Sequence, residues 1–240
     1  MRLTFDFEIS PAEIPKNYRI GFISLIKKLI EKQNPSLFGL YYNQHKLKPF
    51  TFGVYFPQLQ KSNNENFNVG NIAVLNFSTS SFELAAYVYN GFMKLKEQKE
   101  KHIWKREGYE IYFKPKRVYM HPIRKIRNDE IEVKTLSPLL VNNLGDSNKF
   151  LLPGEEGFLE GLQFSVRECA KEFLNIDYDF PFEFIPEKWG REVVYHYQKT
   201  PAVIGTFRIK SIPEILQMIY DAGLGVHRSQ GFGLLEVIKQ

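Results

Sequence analysis

The segment Tyr41-Tyr-Asn-Gln-His45-Lys-Leu-Lys48-Pro-Phe-Thr-Phe52 sets a histidine beside two lysines, Lys46 and Lys48. That combination fits RNA cleavage. An imidazole titrating near neutral pH can take a proton from a ribose 2′-OH or give one to a leaving 5′-oxygen. A lysine ammonium can stabilise the charge that builds on the phosphate. No metal is required for either step. The polar neighbours Asn43, Gln44 and Lys46 equally fit an exposed loop histidine without chemistry. Of the other histidines, His102, His121 and His196 sit in strand-like runs and read as structural. No H-E-x-x-H motif and no carboxylate cluster point to a metal site. The single cysteine, Cys169, excludes an internal disulfide framework and a thiolate zinc cluster and reads as a small core residue. No metal and no cofactor are expected.

A second candidate lies near the C-terminus. Gly223-Leu-Gly225-Val-His227-Arg228-Ser229-Gln-Gly231-Phe-Gly233 has the pattern G-x-G-x5-G-x-G between a helix-like and a strand-like run. Glycines allow positive φ and close backbone approach, and successive N–H groups in such a loop can form an anion-binding concavity. Arg228 offers a guanidinium fork suited to phosphate. The spacing is neither G-x-G-x-x-G nor a P-loop, so nucleotide-cofactor motifs do not fit. A tight helix-to-strand connection that needs glycine for steric reasons fits the same pattern.

Charge adds a third. Lys114, Lys116, Arg117, Arg124, Lys125 and Arg127 form a dense basic run with Tyr112, Phe113 and Tyr119 interleaved. On neighbouring strands this could offer RNA both charge and stacking partners; a plain exposed sheet face is the alternative. Lys94 to Arg106 is equally rich in lysine but diluted by Glu97, Glu100 and Glu107, which reads as a solvated face.

The elements that must position these residues follow from periodicity. Leu3, Phe5, Phe7 and Ile9 alternate with polar residues, a half-buried strand. Tyr18 to Lys32 has helical spacing and stops at Asn34-Pro35. Phe50 to Phe56 and Asn71 to Ser78 read as strands, with a polar loop or hairpin tip over Gln60 to Asn68. Ser81 to Lys96 reads as an amphipathic helix. Glu110 to Lys114 and Arg117 to Ile126 read as two further strands. The first half is therefore β-α-β-β-α-β. The second half repeats the pattern, though not the sequence: strand Glu132 to Val141, helix Glu155 to Leu174, strands Phe182 to Ile185, Val193 to Tyr197 and Ala202 to Ile209, helix Pro213 to Ala222, strand Gly233 to Ile238. The fold class expected is α+β with tandem ferredoxin-like (βαββαβ) domains, residues 1–127 carrying the candidate catalytic residues and 128–240 the glycine-rich loop.

Composition agrees with this scale. The chain has 240 residues, 43 % hydrophobic and 25 % charged, enough for a buried core. Its net charge of +5 and pI near 9.0 are compatible with a polyanionic partner. No apolar run is long enough to span a membrane and the N-terminus has no signal-like apolar stretch, so no membrane partner and a cytoplasmic location are expected.

The glycine-rich segment Gly223 to Gly233 resembles the C-terminal loop of the CRISPR-associated RAMP proteins. Within them the chain is most similar to the endoribonuclease that processes CRISPR repeat transcripts. Thr135-Leu-Ser-Pro-Leu-Leu-Val141 resembles a strand that opens that family's second ferredoxin-like domain. The first quarter has the family's order of helix, histidine-containing connection and Phe-Thr-aromatic strand. The resemblance implies His45 as general acid or base and Lys48 as electrostatic stabiliser. Some members add a tyrosine on the first helix, and here that stretch offers Lys27 instead. It further implies CRISPR repeat RNA, in precursor transcripts, as the partner. Lys46, Gly223, Gly225, His227, Arg228, Ser229, Gly231, Gly233 and the basic run Lys114, Lys116, Arg117, Arg124 and Arg127 would be RNA contacts. A CRISPR effector complex and a second copy of the chain are further candidate partners. Two alternatives stay open: a non-catalytic RAMP subunit holding guide RNA, and an unrelated, sequence-tolerant RNA-binding protein.

Overall fold

The computed structural model describes residues 1–44, 46–60, 66–106, 108–196 and 198–240. The chain divides into two compact units, one of residues 1–48 and 53–122, the other of residues 49–52 and 123–240. Each is a sheet with helices packed on it.

The first unit runs β1 (Arg2–Ser10), β2 (Glu13–Pro15), α1 (Arg19–Glu31), α2 (Pro35–Tyr42), β3 (Phe50–Tyr55), β4 (Asn66–Asn68), β5 (Ile72–Thr79), α3 (Phe82–Glu97), β6 (His102–Arg106) and β7 (Tyr109–Met120). The main sheet has the order β3-β5-β1-β7-β6, and β1 is antiparallel to both β5 and β7. Taking β1, β3, β5 and β7 as strands one to four gives the ferredoxin-like order 2-3-1-4, with β6 added at the edge. Alternation fixes the register: Leu3, Phe5, Phe7 and Ile9 are all buried and the residues between them are not. The core beneath is aromatic. Phe92 of α3 lies 5.0 Å from Phe5 and 5.3 Å from Phe7, and Phe22 of α1 lies 5.0 Å from Phe113.

The second unit runs β8 (Glu130–Thr135), α4 (Phe158–Leu174), β9 (Phe182–His196), β10 (Gln198–Ser211), α5 (Pro213–Ala222), a 3-10 turn at Arg228–Gln230, and β11 (Leu235–Lys239). Its sheet order, β11-β8-β10-β9, is the same 4-1-3-2 arrangement. The tandem ferredoxin-like class expected from sequence is the fold observed.

Several details differ. Asn34-Pro35 starts a further helix rather than only ending one: the Asn34 side chain accepts a hydrogen bond from the Leu37 N–H at 2.9 Å and Pro35 takes the first turn. The two runs around Pro115 are one strand, β7, because Pro115 pairs with Phe7 at a register shift where a missing N–H is tolerated. Pro186 does the same opposite Phe207, so β9 is one long strand as well. The strand expected over Glu132 to Val141 leaves the ladder at Thr135. Of the Gln60 to Asn68 loop, residues 61–65 lie outside the described residues, and Asn66–Asn68 pairs with β2. Among the described residues no helix is long and apolar enough to cross a membrane.

Candidate functional site

In the first unit, Lys27 of α1 and Lys48 from the approach to β3 meet one tyrosine at the end of α2. The Lys27 Nζ lies 4.6 Å from the centroid of the Tyr42 ring and the Lys48 Nζ lies 4.8 Å from it. Both are in cation–π range. Burial first, and then the Lys27 charge, hold the Lys48 ammonium below the usual lysine range. Burial, followed by Tyr41, pushes the Tyr42 phenol above its usual range, so it stays protonated at neutral pH and is no base. His45 lies outside the described residues; in sequence it stands three residues from both Tyr42 and Lys48. Lys46 is exposed. The structure therefore brings Lys27 and Lys48 together and adds Tyr42, which sequence reasoning missed. The signal was present: the capping pair Asn34-Pro35 opens the short helix that ends at Tyr42.

His102 lies outside this cluster, on β6. Its Nε2 is 3.1 Å from Ser24 Oγ, and burial, then the Lys28 charge, push its pKa down to about 4. It is a neutral, satisfied histidine packed on Phe113. His121 meets Thr4 Oγ1 at 2.8 Å on the sheet.

The basic run is divided between the two units. In the first, Lys114 and Lys116 both pair with Glu8, and Arg117 pairs with Asp6 at 3.0 Å. In the second, Arg124 pairs with Glu236 at 3.4 Å and donates to the Val237 carbonyl. Arg127 lines a pocket of about 630 Å³ that it shares with Asp129, Glu130, Glu132 and Glu187. Exposed pairs of this kind are weak, so they lower the free positive charge without removing the cations from reach of a phosphate.

In the glycine-rich loop, in the second unit, several amides are engaged within the fold: Leu224 N–H donates to Gly233, Val226 N–H to Leu140, Gly231 N–H to Arg228 and Gly233 N–H to Pro138. Gly223, Gly225, Gly231 and Gly233 all have positive φ and are buried. A Cβ at Gly225 would stand 2.4 Å from the Leu140 oxygen, and one at Gly233 would stand 1.9 Å from the Leu224 oxygen. Gly225 serves close packing against the strap 136–141 and Gly233 against the Leu224 backbone; the strap also places the Ser137 hydroxyl to accept from Leu234 N–H at 2.9 Å. Arg228 is 6 % exposed, donates to the Ala222 carbonyl at the end of α5, and stacks on Phe173 at 5.3 Å. It satisfies a helix C-terminus. His227 and Ser229 are half-buried, the His227 ring is 5.8 Å from Phe150, and burial lowers its pKa.

With this geometry in hand, comparison with known proteins is informative. Residues 120–237 match the family described as CRISPR associated protein Cas6, C-terminal. No curated protein sequence matches the chain. Solved structures match over its full length. A Cas6-related protein from Pyrococcus furiosus aligns with 100 % of this chain and 99 % of its own at 19 % identity and a TM-score of 0.83. A RAMP protein that binds different RNA substrates covers 100 % of both chains at 20 % identity and TM-score 0.78. A CRISPR-associated Cas6 protein covers 100 % of this chain and 99 % of its own at 20 % identity and TM-score 0.75. These likenesses are of fold, and all three share the tandem ferredoxin-like arrangement. Residues 120–237 thus resemble the C-terminal part of the Cas6 family, on a chain whose full length shares the fold of solved Cas6 structures.

Proposed function

We propose that the protein is an endoribonuclease that cuts CRISPR repeat RNA in precursor transcripts without a metal ion. The match of residues 120–237 to the C-terminal part of the Cas6 family supports repeat RNA as the substrate class. The observation that carries the catalytic reading is the placement of Lys27 and Lys48 about Tyr42, with His45 three residues in sequence from both Tyr42 and Lys48. In this reaction the ribose 2′-OH loses its proton and attacks the adjacent phosphorus. The bond from phosphorus to the 5′-oxygen breaks, and that oxygen takes up a proton. The products are a 2′,3′-cyclic phosphate (or, after hydrolysis, a 3′-phosphate) and a 5′-hydroxyl. His45 carries one of the two proton transfers. Lys48 and Lys27 stabilise the extra charge on the phosphate oxygens in the transition state. The lowered pKa of Lys48 also brings its proton closer to a transferable one.

The test is cleavage of end-labelled repeat RNA in EDTA. The wild type should give one cut with a cyclic-phosphate end. His45→Ala should lose about 10²–10⁴ in rate, and Lys48→Ala about 10²–10³, while RNA binding persists. Equal cutting by wild type and His45→Ala moves the role to another group, with His227 tested next. Tight binding without cutting by the wild type overturns the enzyme reading in favour of a guide-holding subunit.

A further inference from the structure

We propose a base-stacking site for single-stranded RNA at Trp189, on the β9–β10 hairpin of the second unit; the inference rests on the RNA-binding reading above. Trp189 is 40 % exposed, and Leu136 and Ile204 beside it are 42 % and 37 % exposed. These residues, with Pro138, Lys134 and Lys188, line a cleft of about 540 Å³. An indole is a costly group to leave in water, and here it has apolar walls and room for a planar ligand.

Charge names the occupant. Lys134, Lys188 and Arg191 are exposed, and among the described residues none of them forms an ion pair. Elsewhere on the same sheet Arg208 pairs with Glu187, and Lys210 with Glu130 at 3.4 Å, while Lys199 and Lys239 are exposed. Lys134 and Lys188 line the cleft against one carboxylate, Glu192, and with Arg191 close by in sequence the charge beside the exposed indole is net positive. Phosphates can meet the cations while a base lies on the indole, the combination by which proteins bind single strands.

Of the cleft's hydroxyls, Ser137 Oγ already accepts from Leu234 N–H and Thr135 Oγ1 from Gly205 N–H at 3.0 Å, while Thr206 and Glu192 complete the polar lining. Stacking on the indole itself is tolerant of sequence, because every base has a π-face.

The chain's other tryptophan, Trp104, is buried at 7 % exposure, so a Trp104→Phe background leaves Trp189 as the fluorescent reporter. Oligo(U) and oligo(A) RNA of about 10 nucleotides, and the repeat RNA, would be titrated into it. Both homopolymers should quench Trp189 to saturation. Trp189→Ala should bind RNA about 5- to 150-fold more weakly, and Trp189→Phe should retain most of the affinity. Unchanged RNA affinity in Trp189→Ala, with no quenching in the parent, overturns the stacking site and leaves the RNA reading standing. If the wild type binds neither homopolymer nor repeat RNA, the RNA reading fails and this site falls with it.

Discussion

Tyr42 has an ammonium group near its ring from each of two elements, Lys27 from α1 and Lys48 from the approach to β3. The Lys27 charge disfavours the protonated state of Lys48, which is itself partly buried. Lys27 is the second cause, after burial, of the lowered Lys48 pKa. Replacing Lys27 by Met removes that repulsion, so the Lys48 pKa must rise. If the Lys48 cation is needed for cleavage, the alkaline limb of kcat/KM against pH marks its loss. Lys27→Met should then move that limb to higher pH while lowering the rate on the plateau. A limb that stays in place would take Lys48 out of the titrating role. Residue types alone pointed to His45, Lys46 and Lys48, and the family likeness to Lys27. Tyr42 was not legible, because its place depends on a short helix whose apolar pattern is weak and whose only clear mark is its cap.

At the scale of elements, the glycine-rich loop and the strap 136–141 are one backbone construction. The strap supplies carbonyls of Pro138 and Leu140 to loop amides, and the loop supplies the Leu234 carbonyl to the N–H groups of Leu136 and Ser137 at 2.8 and 3.1 Å. Gly225 has φ +76°, and its missing side chain is the space taken by the Leu140 carbonyl. Gly225→Ala should therefore destabilise the fold by about 1–3 kcal/mol, the usual range for backbone strain of this kind. For a chain of this size that lowers the melting midpoint by about 2–4 °C per kcal/mol. A variant that melts like the wild type but loses RNA affinity would return the loop to the role of anion cradle. The sequence showed that Gly225 fits a position needing glycine but not why, since the carbonyl that excludes a Cβ there belongs to Leu140, far earlier in the chain. The split of β7 and β9 in the sequence reading has a similar origin. Pro115 and Pro186 break the pattern locally, and only the partner strand shows that each sits at a bulge.

At the scale of the whole chain, the second unit includes a piece of the first half of the sequence. Pro49–Phe52 groups with residues 123–240, and Thr51 Oγ1 donates to the Phe232 carbonyl at 2.7 Å in a fully buried position. Phe50 and Phe52 alternate with Thr51 as an ordinary strand, so nothing local shows that this hydroxyl has a partner near the C-terminus. Each unit holds one tryptophan, Trp104 in the first and Trp189 in the second, which makes the partition measurable. Thr51→Val keeps the shape and removes the donor, leaving a buried carbonyl without this bond at a cost of about 1–3 kcal/mol. In a Trp104→Phe background the midpoint read by Trp189 should fall, and Thr51→Ser, which keeps the hydroxyl, should fall less. In a Trp189→Phe background the midpoint read by Trp104 should move less than that read by Trp189. Equal shifts at both reporters would mean that the units unfold as one cooperative body, and the bond at Thr51 would then stabilise the whole chain rather than the glycine-loop unit alone.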